Sequence, residues 1–283
     1  MKNLFAGICV FLLSYSVTAQ VKTPQPSPSS KVEQKVGLTN VKIEYSRPGV
    51  KGRAIFGDLL PFGKLWRTGA NKNTTITIDT KATIAGKELA AGSYAIFTIP
   101  NKDSWDIIFY TDTNNWGTPK KLDDAKIALK TNAKVEAVPF NVETFTIDIN
   151  GITNNSARIE FIWEKTYVGI PMEVPTDALV MKSIHKTMNA SPKDNDYYAA
   201  AVYYLENDKD IKQAKNWMDK AVKAHEKKPL FYMIRRQALI YAKAGKKKQA
   251  IKIMKNSLKL AKKAGNDDYI RMNTASLKEW GAL

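Results

Sequence analysis

Cysteine is almost missing from these 283 residues: the one copy, Cys9, lies in an apolar stretch near the N-terminus. Beyond that stretch no disulfide can form, so stability has to come from a hydrophobic core. Histidine is nearly as scarce, with two copies, His185 and His225. They are not spaced i, i+4, so there is no His-Glu-x-x-His pair, no Cys/His zinc set and no Cys–His nucleophile. A Ser-His-Asp triad would need one of the two to reach a distant serine, and no Gly-x-Ser-x-Gly elbow marks one. Calcium loops are absent as well, because "DTNNWG" at Asp112 to Gly117 offers too few oxygens at the required steps. A phosphate loop fails on spacing: Gly57 and Gly63-Lys64 enclose five residues rather than four, and Leu65 stands where Ser or Thr should hold magnesium. No catalytic residue, metal site or cofactor is read from this chain. Long hydrophobic runs are missing too, since after residue 19 none approaches the roughly 20 residues of a membrane helix.

The last shortage is of acid. Lys+Arg total 44 against 27 Asp+Glu, a net charge of +17. Residues 20–175 hold 20 basic and 16 acidic residues, +4, whereas residues 176–283 hold 23 and 11, +12. Only Arg235, Arg236 and Arg271 of those 23 cations are arginine. Lysine without interleaved aromatics is a poor signature for nucleic acid and reads as a solvated face or as one that attracts an anionic envelope surface.

What is present begins with "MKNLFAGICVFLLSYSVTAQ". A short positive start, an apolar core and the small-residue end Val17-Thr18-Ala19 predict a signal peptide over 1–19, and hence export to the periplasm or beyond. Residues 20–31, "QVKTPQPSPSSK", read as a disordered tether. Residues 32–172 alternate in period two, as in "NVKIEY", "TTITID", "SYAIFTIP", "ETFTIDI" and "ARIEFIWEKTYV", with turn residues between the runs. They predict an antiparallel β-sandwich, with one polar, helix-compatible insertion, "PKKLDDAKIALKTN". Pro171 and Pro175 mark the boundary, with Thr176 as a helix cap beyond it. From there to 283 the period becomes 3.6, and a slide of 36 residues places Ala214 on Ala250, Met218 on Met254 and Ala221 on Ser257. Recurring small and large apolar residues at that offset predict tetratricopeptide-like helical hairpins over 173–283. The fold class is thus α+β as two domains.

One stretch fits neither period. "YSRPGVKGRAIFGDLLPFGKLWRTGAN", Tyr45 to Asn71, is irregular and rich in Arg and Gly, yet too apolar for a solvated loop. It reads as a lid folded over one end of the sandwich. Arginines among buried aromatics have to be paired. Either they staple the loop through forked hydrogen bonds, or Arg47, Arg53, Arg67 and Asn71 present donors to a small anionic or glycan ligand against a wall of Tyr45 and Trp66. Paired carboxylates such as Asp123-Asp124, or Glu160 with Glu164, are the remaining chemistry; sequence does not show that either pair converges.

The runs "YSRPGVKGRAIFG", "LLPFGKLWRTGAN", "TITID", "GKELAAGSYAIFTIP" and "FIWEKTYVGIP" resemble the domain of unknown function 2911 family, found in exported proteins of the Bacteroidetes, over about residues 31–172. The resemblance implies a secreted or periplasmic β-rich domain and implies no activity. The chain departs from the family after Trp116-Gly117, where an aromatic-rich stretch with an arginine is expected and "TPKKLDDAKIALK" stands instead. Three functions remain in view. The first is a non-catalytic binding or scaffold protein whose helical repeats take a protein partner. The second is a hydrolase-like enzyme on an envelope substrate, using β-domain carboxylates or tyrosines. The third is a structural module held to the envelope by its lysines.

Overall fold

A computed structural model describes residues 23–283. The expected signal peptide and the first residues of the expected tether lie outside them. The chain divides into two units between Pro175 and Thr176.

In the first unit, alternation dictates strands. In β2 (Thr39–Ser46), Val41, Ile43 and Tyr45 are buried while Asn40 and Glu44 face out. Its partner β1 (Ser29–Val36) begins three residues inside the stretch expected as tether, with Lys31 opposite Glu44. The Ser/Pro composition conceals this pairing, which is made by backbone groups that carry no sequence signature. There follow β3 (Thr74–Ile78), β4 (Ala82–Ile84), β5 (Lys87–Leu89), β6 (Gly92–Pro100), β7 (Ser104–Tyr110), β8 (Ile127–Asn150) and β9 (Ser156–Glu173). They form one nine-stranded antiparallel sheet in the order β1-β2-β3-β6-β7-β8-β9-β4-β5.

The long strand β8 sets the shape of this unit. Its first residues, Ile127 to Lys134, pair with β7 and its later ones with β9, with register shifts between Ala137 and Val142 and again before Thr146. Such irregularities bend a strand. Tyr45 of β2 consequently reaches Ile147 of β8, four places away in the sheet order, accepting from its N–H at 2.9 Å and donating to its carbonyl at 3.1 Å. Between these parts lies an aromatic core. Trp66 stacks on Trp163 with centroids 5.9 Å apart and meets Phe145 at 5.0 Å, and Trp105 packs edge-on to Trp66 at 6.0 Å. A second cluster, Phe97, Ile108 and Tyr110, covers the other face of β6 and β7 beneath Leu65, Leu122 and Ile127. The expected helix-compatible insertion is corrected here. Only Asp124–Lys126 forms a helical turn, of 3-10 type, and from Ile127 the chain is strand, because pairing with β7 outweighs a weak local helix preference.

The second unit holds α1 (Thr176–Met188), α2 (Asp194–Glu206), α3 (Ile211–Ala224), α4 (Phe231–Lys243), α5 (Lys247–Lys263) and α6 (Asp267–Glu279). Side-chain caps start two of them: Asp210 accepts from the N–H groups of Lys212 and Gln213, and Asn266 from that of Tyr269. Gly245 ends α4 at φ 76°, where the Lys246 N–H returns to the Tyr241 carbonyl at 2.9 Å. Asp208, at φ 52°, makes the corresponding turn after α2, with Lys209 N–H on the Tyr204 carbonyl. One core cluster gathers Ala201, Ala214, Met218, Ala221 and Met233; another gathers Ala238, Met254 and Leu277. Arg235 lies half-buried on neutral partners, the Met272 carbonyl, Asn273 Oδ1 and Ser276 Oγ.

Candidate functional site

The Arg/Gly-rich stretch after β2 crosses the sheet without regular structure, tied to it at intervals. Trp66 exchanges two backbone hydrogen bonds with Thr98 of β6, at 2.8 and 2.9 Å. Its ring is buried, and Nε1 donates to the Gly69 carbonyl at 2.9 Å. Trp66 and Tyr45 are thus core residues. Arg47 donates from Nε to the Phe145 carbonyl at 3.0 Å and from Nη2 to Thr146 Oγ1 at 2.7 Å. Arg53 folds back on its own turn, onto the Val50 and Gly49 carbonyls at 3.0 and 2.7 Å. Asn71 donates to the Ser27 carbonyl and Ser46 Oγ at 3.2 and 3.3 Å. Arg67 differs. Its Nε is buried and has no hydrogen-bond partner among the described residues, and burial pushes its guanidinium pKa down. Of the six, Tyr45 also lines a cleft of this unit.

Beyond Arg67 the backbone is strained. Thr68 is fully buried yet adopts φ 56°, a region that β-branched residues avoid, and Asn71 adopts φ 58°. Between them Gly69, at φ 149°, passes so close to β2 that a Cβ there would stand 2.9 Å from the Ser46 carbonyl oxygen. Two neighbours hold the corner: Thr68 Oγ1 donates to Thr98 Oγ1 at 3.1 Å, and Thr74 Oγ1 donates to the Thr68 carbonyl. Strain of this kind costs about 1–3 kcal/mol per residue and persists only where surroundings over-determine it.

Just past the corner lies a cleft of about 430 Å³ that residue-by-residue reading did not single out. Lys31, Glu44, Lys72, Asn73 and Thr75 line it together with the edge of Tyr45. One lining residue, Lys72, is joined by a backbone bridge to Trp116 of a neighbouring loop. Gly117 N–H donates to the Asn71 carbonyl and Asn115 N–H to Asn73 Oδ1, at 3.2 and 2.8 Å. Trp116 itself is 81% exposed on this fixed backbone. The available signal was the run "NNWG", a large aromatic among turn residues.

The second unit has a groove of about 500 Å³ built by α3, α4 and α5. Val222, Leu230, Met233 and Ile234 give it an apolar lining, with Lys223 and Asn256 exposed at its mouth. Asp219 anchors the polar wall, accepting from Lys215, Gln237 and Tyr241 at 2.7, 2.8 and 3.1 Å. Burial raises the Tyr241 phenol pKa. His225 at one end faces Asp194, Nε2 to Oδ2 2.7 Å.

The remaining carboxylates are engaged or apart. Asp123 caps the 3-10 turn through Ala125 N–H, and Glu160 accepts from the Tyr167 hydroxyl and Asn150 Nδ2 at 2.9 and 2.8 Å. Glu164 follows four residues along the same strand, at φ 56°. Among the described residues no group of three His, Cys, Asp or Glu is placed to hold a metal ion, and no helix is long and apolar enough to cross a membrane.

No curated protein and no solved structure matches this chain. The model of the family described as "Protein of unknown function (DUF2911)" matches residues 27–172, a segment that contains the whole Arg/Gly-rich stretch, the strained corner and the cleft beside Trp116, and the chain belongs to that family.

Proposed function

We propose that this is an exported, non-catalytic binding or scaffold protein of the cell envelope, periplasmic or extracellular. In this reading the helical unit, as tetratricopeptide-like hairpins, takes an extended segment of a protein partner. The β unit, as a sandwich, holds a small anionic or glycan ligand. The groove of α3, α4 and α5 carries the reading: apolar lining, fixed polar wall and charged mouth are what an extended peptide needs for affinity, register and specificity. The repeat supports it. Ala214 and Ala250, Met218 and Met254, and Ala221 and Ser257 occupy the same fully buried positions of α3 and α5, and arrays of such hairpins serve mostly as binding surfaces.

For the β unit, the residues weighed as a ligand pocket are Tyr45, Arg47, Arg53, Trp66, Arg67 and Asn71. The hydrogen bonds of Arg47, Arg53 and Asn71 favour the staple role for those three. The cleft bearing Lys72 and Asn73 beside the exposed Trp116 is the better-suited receptor, because a sugar ring stacks on indole while amide and ammonium donors meet its oxygens.

The test is affinity capture from native envelope extract on residues 23–283, followed by titration of the recovered partner into wild type and Asn256→Trp. The bulky ring at this exposed position fills the mouth of the groove. Affinity is expected to fall more than about tenfold, or 1.4 kcal/mol. A partner that binds the variant and wild type equally would rule out the groove.

A further inference from the structure

The helix α5 carries seven lysines and no Asp or Glu in 17 residues. Five of them, Lys248, Lys252, Lys255, Lys259 and Lys262, are exposed and follow one another at steps of four, three, four and three. That spacing returns every side chain to one side of an α-helix. It draws a straight cationic line about 21 Å long at 1.5 Å per residue. The opposite side, Ala250, Met254, Ser257 and Ala261, is buried against the rest of the unit, which fixes the lysine line outward. Among the described residues no ion pair involves any α5 lysine, whereas Lys209, Lys215 and Lys243 elsewhere in the unit are each paired with an aspartate. The nearest acids past its C-terminal end are Asp267 and Asp268, and Asp268 is held by Arg271 at 2.6 Å.

We propose that this line is a docking surface for anionic phospholipid headgroups, on which the protein rests without inserting. A rigid cylinder touches a plane along a line, and the five ammonium groups occupy that line, so all can meet a bilayer surface together. Lysine is a hydrated point charge on a flexible stem, suited to diffuse charge rather than to one fixed phosphate. The stripe holds no arginine fork and no aromatic ring, so neither a single-anion pocket nor base stacking is provided for. The apolar side of α5 is already used by the core, so binding is electrostatic and reversible.

The experiment is co-sedimentation of residues 23–283 with vesicles of equal parts phosphatidylcholine and phosphatidylglycerol, and with vesicles of phosphatidylcholine alone. The expected result is binding to the first only, weakening as salt shortens the screening length below about 8 Å. Each lysine near such a surface contributes roughly fivefold in partitioning. The fourfold variant Lys248→Gln, Lys252→Gln, Lys255→Gln, Lys259→Gln should therefore bind several hundredfold more weakly. A control variant removes the same charge elsewhere, at exposed Lys64, Lys102, Lys120 and Lys134 of the first unit, and should keep most of the binding. Circular dichroism of both variants confirms an unchanged fold. Equal loss in the two variants would overturn the proposal, since net charge alone would then explain binding. So would equal binding to both vesicle types, no binding at all, or full displacement from vesicles by duplex DNA at equal phosphate.

Discussion

Arg47 and Arg67 belong to one loop and have opposite surroundings. Arg47 has a carbonyl and a hydroxyl within 3.0 Å, and a charge-assisted hydrogen bond of this kind contributes about 1.5–3 kcal/mol. Arg67 keeps a buried Nε with no hydrogen-bond partner among the described residues, and burial lowers its pKa. Removing a paired group leaves its partner stranded, whereas removing a partly buried group whose Nε has no partner relieves some desolvation. Urea unfolding should therefore separate the two. Arg47→Ala is expected to lose about 1.5–3 kcal/mol. Arg67→Met, which preserves the packed stem, is expected to stay within about 1 kcal/mol of wild type or above it. A greater loss in Arg67→Met than in Arg47→Ala would show that Arg67 has a structural partner after all.

At the scale of elements, α1 is joined to α2 and the turn after it by one polar knot. Tyr203 of α2 donates to Asp177 Oδ1 of α1 at 2.8 Å, and Lys209 reaches Asp177 Oδ2 at 2.9 Å. Burial, helped by the hydrogen bond to Asp177, pushes the Tyr203 phenol up from 10.0 to about 12. Its folded pKa lies above its unfolded one, so the folded state binds more protons between those values and stability falls as pH rises through them. The contribution is complete below about pH 10 and lost by about pH 12. Tyr203→Phe lacks the hydroxyl, so the gap in melting temperature between wild type and variant should close over that window. A gap that stays constant would show that Tyr203 does not titrate there.

For the whole molecule, the core clusters of the two units share no residue. With separate cores, each unit meets the usual condition for folding alone. Residues 23–175 and 176–283, expressed separately, should each unfold in one cooperative transition, the first with a strand-rich and the second with a helical circular dichroism spectrum. A fragment that is unfolded in isolation would refute this independence. The charge is divided in the same way: 176–283 holds +12 of the total +17, so salt-dependent adhesion is expected of the second fragment and not of the first.

Much of this was legible in the sequence, because side-chain period is local. Val41, Ile43 and Tyr45 on alternate positions dictated a strand, and the 36-residue recurrence of Ala214, Met218 and Ala221 fell on buried positions of α3 and α5. The arginine staple was one of two readings of the loop, and the hydrogen bonds of Arg47 and Arg53 favour it. What the sequence could not supply depends on contacts between distant residues. Nothing local marks Ser29 to Lys31 as the start of β1, shows Ile127 to Lys134 as β rather than helix, or predicts that β8 changes partner near Val135. Nor does it reveal that Lys72, Asn73 and Trp116 meet beside a cleft, since 44 residues separate the first from the last. Composition and period determined the kinds of element and the division into two units. Only the tertiary structure decided which arginine keeps a buried Nε without a partner and which lysines stand in an exposed line free of ion pairs among the described residues, because pairing and exposure belong to the packed chain.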